Sequence, residues 1–345
     1  MNRTPIFEWE VWNMKNLNLL KAKATKNDEF YTRYEDVEKE LNCYSFKDQI
    51  IYCNCDDPRK SSFVRYFIHH IQEIKMLIAT CYHRQTVFSQ EPGYKLQVTA
   101  EDFKNIKTEE DIRYVIESNI IPLEGDGDFV SKECLSLLDM ADVVITNPPF
   151  SLASIYLQTL MKYQKNFLFI GNKNMVKTEF VFQEFQENRL WFGYHDVKEF
   201  MKPDGTVQKF GNVTWFTNLE VRRKKHLVLT KNYHEGNYQK YHNFNAININ
   251  RLKDIPLDYD GIMGVPITFL DYYNPEDFEL LGISVGQHKE ALGIQKIGQE
   301  WITAYFAQGG KGHYTANMRN LVLLEDGVAS AVYVRILIRR RKKYK

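Results

Sequence analysis

Short apolar runs rich in β-branched residues, separated by segments with helical spacing, constrain this 345-residue chain more than any other feature. Gln49–Asn54 (QIIYCN) reads as a first strand and Ile74–Thr80 (IKMLIAT) as a second. Between them Pro58 and the pair Ser61-Ser62 announce a helix, with Phe63, Phe67, Ile68 and Ile71 on its apolar face. Residues 101–119 read as a charged surface helix or helix pair, and Ile120–Leu123 (IIPL) as a third strand weakened by Pro122. Asp142–Thr146 (DVVIT), Asn166–Gly171 (NFLFIG) and Arg189–Tyr194 (RLWFGY) complete the series. Val207–Leu219 and His226–Thr230 (HLVLT) read as a closing antiparallel pair. Such alternation predicts an α/β domain with a mainly parallel sheet. After residue 230 it fades into text rich in Asn, Gly and Tyr, including Asn243–Asn250 (NFNAININ). The expected division is therefore residues 1–230 and 231–345.

Composition removes several classes. Apolar residues are 44% and charged residues 26%, the balance of a folded globular protein. No stretch approaches the roughly 18 consecutive apolar residues of a membrane span, and the first residues lead into no signal-like run. Five cysteines suit a reducing compartment, with the cytoplasm expected. Cys53-x-Cys55 has no second cysteine pair at zinc spacing, so no metal is expected. The net charge of +1 conceals a balance of −6 over residues 1–200 and +7 over residues 201–345. The basic half, ending in Arg339-Arg340-Arg341-Lys342-Lys343, suits a polyanionic partner or is a solvated surface.

The DVVIT strand runs into Asn147-Pro148-Pro149-Phe150, and Ser151 then stands where a helix N-cap belongs. In α/β sheets ligands bind at the carboxyl ends of strands, which is where this loop lies. Two prolines make it stiff and remove two N–H donors. What it offers is acceptors, the Asn147 amide oxygen and the Pro148 carbonyl, beside the flat face of Phe150. That set suits a planar substrate bearing an NH₂ group: both N–H bonds find acceptors while the ring stacks. A rigid turn in which Asn147 caps its own backbone would use the same letters.

Ala141–Phe150 resembles motif IV of S-adenosylmethionine-dependent amino-methyltransferases. Four further segments resemble the EcoRI-like adenine-specific DNA methyltransferase family. They are Asn27–Thr32 (NDEFYT), Tyr52–Pro58 (YCNCDDP), Gly125–Phe129 (GDGDF) and Phe210–Asn218 (FGNVTWFTN). The resemblance implies a Rossmann-like methyltransferase with a mainly parallel seven-stranded sheet and a C-terminal target-recognition region. It implies transfer of a methyl group from S-adenosylmethionine to N6 of a flipped adenine in double-stranded DNA, with Asn147, Pro148 and Phe150 as the catalytic loop.

Phe30, Tyr31 and Thr32 fall in the segment that folds against the methionine end of the cofactor. Asn54 and Asp56 stand where the family's glycine-rich loop would be, and are expected to bind the cofactor's amino-acid part by their side chains. Asp128 and Phe129 are expected at its adenine. No acid follows the second strand, so the ribose contact is unassigned. Trp215 or Phe216 would furnish a second face for the target base, or serve as core. Lys224, Lys225, Arg319, Arg339 and Arg340 are candidate DNA contacts. RNA or protein-glutamine methylation, and a non-catalytic DNA-binding module, are the competing functions. The recognition sequence and any partner nuclease are not legible.

Overall fold

The computed structural model describes residues 30–83, 91–104, 106–202, 204–221, 227–286 and 288–341. Lys224, Lys225, Asn27–Glu29 and Lys342–Lys345 lie outside these residues. Backbone contacts divide the chain into two units. One runs through Lys173 and resumes over Gly193–Val221; the other comprises Asn174–Phe192 and the chain from Arg222 onward.

Up to residue 221 the strands are β1 (Tyr31–Thr32), β2 (Ile50–Cys53), β3 (Met76–Cys81), β4 (Tyr94–Val98), β5 (Ile120–Pro122) and β6 (Val143–Thr146). Then come β7 (Asn166–Asn172), β8 (Trp191–Asp196), β9 (Glu199–Met201), β10 (Val207–Lys209) and β11 (Val213–Thr217). Eight of these form one sheet in the order β5-β4-β3-β2-β6-β7-β11-β8. Its centre is parallel: β2 pairs with β3 and β6, and β6 with β7. These strands are near-continuous apolar runs because helices cover both faces of a parallel sheet. The helix Ser62–His69 is started by Ser61, whose hydroxyl accepts the N–H groups of Phe63 and Val64. Asp142 ties neighbouring strands by accepting the Ile50 N–H at 2.8 Å.

Three expectations need correction. Among the described residues the sheet has eight strands, not seven, and is mixed. β4, unread in the sequence, lies antiparallel between β3 and β5, and β11 runs antiparallel to β7. Pro122 is tolerated because β5 is the outer strand, where a ladder donor is not needed. The closing hairpin is not formed either. Val213–Thr217 joins the large sheet, Val207–Lys209 pairs elsewhere, and residues 227–230 form no strand, with Val228 73% exposed. Finally, the helix after the Asn-Pro-Pro-Phe loop is capped by Leu152, one residue beyond the expected serine.

A separate antiparallel sheet pairs β9 with both β1 and β10. It brings Phe30, just before β1, and Phe210, just after β10, against the buried Phe200.

The second unit holds β12 (Ile247–Asn248), β13 (Met263–Val265), β14 (Phe278–Ile283), β15 (Val322–Glu325), β16 (Val328–Ala331) and β17 (Ile336–Arg340). Four of them order as β12-β13-β17-β14, and β15 with β16 is a hairpin. Its turn, Asp326-Gly327, takes positive φ at both positions (49° and 78°), the conformation that matches strand twist in a two-residue turn. The helix Glu179–Gln186 belongs here too, with Gln186 donating to the Leu280 carbonyl at 3.0 Å. The Asn-rich run is interior architecture. Asn243 donates to the carbonyls of Gln295 and Asn320 and accepts from the Val322 N–H. Among the described residues no helix is long and apolar enough to cross a membrane.

Candidate active site

β2 and β6 are neighbours and parallel, so the loops at their carboxyl ends lie side by side. Asn147 opens the second loop. Its amide nitrogen donates to the Phe30 carbonyl at 2.7 Å, which fixes which way the side chain faces. The other end, Asn147 Oδ1, is buried and accepts from nothing among the described residues. Buried acceptors are nearly always paired, so this oxygen at a strand end is an acceptor still open to a ligand. Pro148 is buried and Phe150 half-buried.

Phe150 sits in a cluster of four phenylalanines. It stacks near-parallel on Phe30 with centroids 6.0 Å apart, and meets Phe200 and Phe210 edge-on at 5.7 Å each. Phe30 and Phe210 are 5.0 Å apart and edge-on. Trp215 and Phe216 are not part of this cluster. Both are fully buried in β11, Trp215 against Phe63 and Phe216 stacked on Phe169 at 5.6 Å. The second face expected from them is thus a correction: a strand between β7 and β8 has both sides in the core. Phe210, in the same resembling segment, is the aromatic that reaches the loop.

The β2 loop differs from expectation. Asn54 is 2% exposed, and its amide oxygen accepts from the Tyr156 hydroxyl and the Cys55 thiol. Asp56 is 7% exposed, and its carboxylate accepts from Ser61 Oγ at 2.7 Å and from the Thr146 hydroxyl. Burial pushes its carboxyl up to about 6, against the pull of those two donors. The Asn54 amide oxygen and the Asp56 carboxylate thus meet protein donors, where cofactor contacts were expected of these side chains. The next residue, Asp57, is the one the sequence reading passed over. It accepts from the Tyr94 hydroxyl at 2.8 Å and from the Arg59 N–H at 3.0 Å.

Thr32 is 5% exposed, and its hydroxyl has no partner among the described residues. Its carbonyl accepts from Ser62 Oγ at 2.7 Å, which holds β1 at the start of the helix Ser62–His69. Gly127 makes the Asp126–Asp128 turn: φ is +81°, and a Cβ there would lie 2.5 Å from the Cys81 carbonyl oxygen. The turn brings Asp128 and Phe129 to the end of β3. Asp128 accepts the Val130 N–H at 3.1 Å, and Phe129 packs edge-on against Tyr156 at 5.2 Å. Tyr31 pairs with Met201 across the small sheet.

The candidate DNA contacts are a mixed set. Arg319 donates to the Ile294 carbonyl and to Glu290, so it is held inside its own unit. Arg339 is exposed and Arg340 half-buried, both within β17. The basic end therefore begins as a strand.

A buried, oriented amide oxygen beside an aromatic cluster suits capture of an exocyclic amine, and comparison with known proteins agrees. The chain matches the family described as "Adenine-specific methyltransferase EcoRI" over residues 18–341. It belongs to that family. It is 42% identical to the Type II methyltransferase M.EcoRI of Escherichia coli, over 82% of this chain and 94% of that protein. The Type II methyltransferase M.MpnI of Mycoplasma pneumoniae is 34% identical over 76% of this chain and 84% of its own length. No solved structure matches the chain. The protein is an adenine-specific methyltransferase, which sets aside protein glutamine as its target.

Proposed function

We propose that this methyltransferase transfers a methyl group from S-adenosylmethionine to N6 of an adenine flipped out of duplex DNA at a specific sequence. The observation that carries the reading is the unpartnered Asn147 Oδ1 beside Phe150. An amine inside the base stack cannot be reached, so the adenine leaves the helix. Phe150, with Phe210 at right angles to it, provides the apolar faces. Asn147 Oδ1 and the Pro148 carbonyl accept the two N6–H bonds. As N6 bonds to the methyl carbon the carbon–sulfur bond would break. N6 gains positive charge, which these acceptors stabilise more than they stabilise the resting amine, and it then releases one proton to solvent. No covalent nucleophile on the protein is needed.

The residues present fit the methyl donor. Thr32 offers a buried hydroxyl without a partner, next to the segment that holds Asn147 in place. Thr32 with Tyr31 and Phe30 would hold the amino-acid end, and Asp128 with Phe129 the adenine end. When bound, S-adenosylmethionine supplies an electrophilic methyl on a sulfonium. In this reading residues 1–230 carry catalysis and residues 231–345 carry target recognition, with Arg339 and Arg340 on phosphates.

The test is a panel of unmodified substrates with a radiolabelled methyl donor, followed by nucleoside analysis. Label in N6-methyladenine from duplex DNA, restricted to one short sequence, is the expected result. Label in RNA alone would overturn the choice of DNA.

A further inference from the structure

Asn147, Pro148 and Pro149 together own a single backbone N–H, that of Asn147, because neither proline has one. With so few donors of its own, the loop depends for its anchorage on the residue before it, Thr146. The Thr146 hydroxyl donates to the Asp56 carboxylate, which also accepts from Ser61 Oγ at 2.7 Å. Thr146 Oγ1 in turn accepts the Cys55 N–H at 3.2 Å, so the two loops are tied in both directions. Hydrogen bonds to an ionised acceptor are roughly twice as strong as neutral ones, and this group is 7% exposed.

We propose that Asp56 is a positioning residue for methyl transfer: its carboxylate holds Thr146 at the strand end so that Asn147 Oδ1, on the next residue, stands where the target amine arrives. The inference rests on the reading of Asn147 as that amine's acceptor. It separates Asp56 from the cofactor, although Asp56 lies in the loop where such enzymes meet theirs. A carboxylate bonded to hydroxyls from two different elements restrains geometry. A small misplacement of a reacting group costs about 10²-fold in rate.

The experiment uses the full chain and compares Asp56→Asn with the parent in single-turnover methylation of duplex DNA. Binding of S-adenosylmethionine and of DNA is measured on the same samples. Asparagine keeps the size but loses one acceptor and the charge. The expected result is a rate about 10–100-fold lower at saturation, with both dissociation constants within about threefold of the parent. A weakened cofactor affinity with an unchanged saturating rate would overturn the proposal and return Asp56 to the cofactor. An unchanged rate with unchanged affinities would overturn it as well.

If Asp56→Asn does not fold, Thr146 carries the test. Thr146→Val should lose rate in the same manner, and Thr146→Ser, which restores the hydroxyl, should recover it. A parent-like rate in Thr146→Val would overturn the proposal. Asn147→Ala serves as the control. If it turns over normally, the reading of the site has failed; if it is inactive while Asp56→Asn is normal, only the positioning role has.

Discussion

Two adjacent loops leave the same edge of one sheet and spend their polar groups in opposite ways. After β2, the side chains of Asn54, Asp56 and Asp57 all end on protein donors. After β6, Asn147 uses its amide nitrogen internally and leaves its oxygen buried with no partner among the described residues. The first pattern is that of a scaffold, since a satisfied buried network rigidifies its surroundings. The second carries a cost that folding alone does not justify, roughly 1–3 kcal/mol for a buried group left unpaired. In the proposed reading the contrast separates residues that hold the site from the residue that meets the target amine, on neighbouring strand ends.

The strongest way to break this contrast is at the orphan itself. Asn147→Ala removes the unpaired acceptor and the bond to Phe30. Methylation should fall by about 10²–10³-fold, the scale for deleting one preorganised polar group at a reacting centre. Cofactor affinity, measured by calorimetry, should stay near that of the parent. Thermal stability should fall only modestly, because losing the bond to the Phe30 carbonyl is offset by removing a buried oxygen that had no partner. A large drop in melting temperature with normal turnover would make Asn147 a structural residue like its neighbours across the edge.

A smaller effect is expected in the aromatic cluster. Phe210→Ala should slow DNA methylation by about 10–100-fold, since stacking of a base on an aromatic ring is worth about 1–3 kcal/mol. Its melting temperature should fall only modestly, Phe210 being half-buried. Phe216→Ala would behave the other way, because that ring is fully buried against Phe169. Equal stability losses in the two variants would dissolve the distinction between them.

Legibility in the sequence followed the same division. The central strands were readable because burial on both faces demands continuous apolar text, as in Val143–Thr146 and Phe167–Ile170. β4 fell outside the pattern of continuous apolar runs, although Tyr94–Val98 interleaves Lys95 and Gln97 with period two, the signal of a half-buried strand. Leu227–Thr230 misled in the opposite sense: it is apolar enough for a strand, yet Val228 lies exposed. The Asn-Pro-Pro-Phe loop was legible through its chemistry, since prolines announce missing donors. Partners from distant residues were not. Nothing local in Asn54 or Asp56 says that Tyr156, Ser61 and Thr146 will claim their oxygens, and the position after the first strand suggested a ligand instead. Trp215 and Phe216 carried a usable signal, because V-T-W-F-T has no polar alternation and so fits a strand with two buried faces.

The mildest prediction tests the scaffold side of the contrast. Tyr156 is fully buried on the helix Ala153–Lys162, its hydroxyl donates to Asn54 Oδ1, and burial raises its pKa far above the ordinary tyrosine value. Tyr156→Phe keeps the ring that packs against Phe129 and Phe169 but withdraws the donor. Asn54 Oδ1 would then retain only the weak Cys55 thiol contact at 3.8 Å. The expected cost is about 1–3 kcal/mol of stability, the penalty for stranding a buried acceptor, read as a lowered midpoint in urea unfolding with an unchanged slope. Under conditions where the variant is folded, its affinity for S-adenosylmethionine should match the parent's. A tenfold loss of that affinity with unaltered stability would mean that Asn54 faces the methyl donor after all, and the two loops would then share one role instead of dividing two.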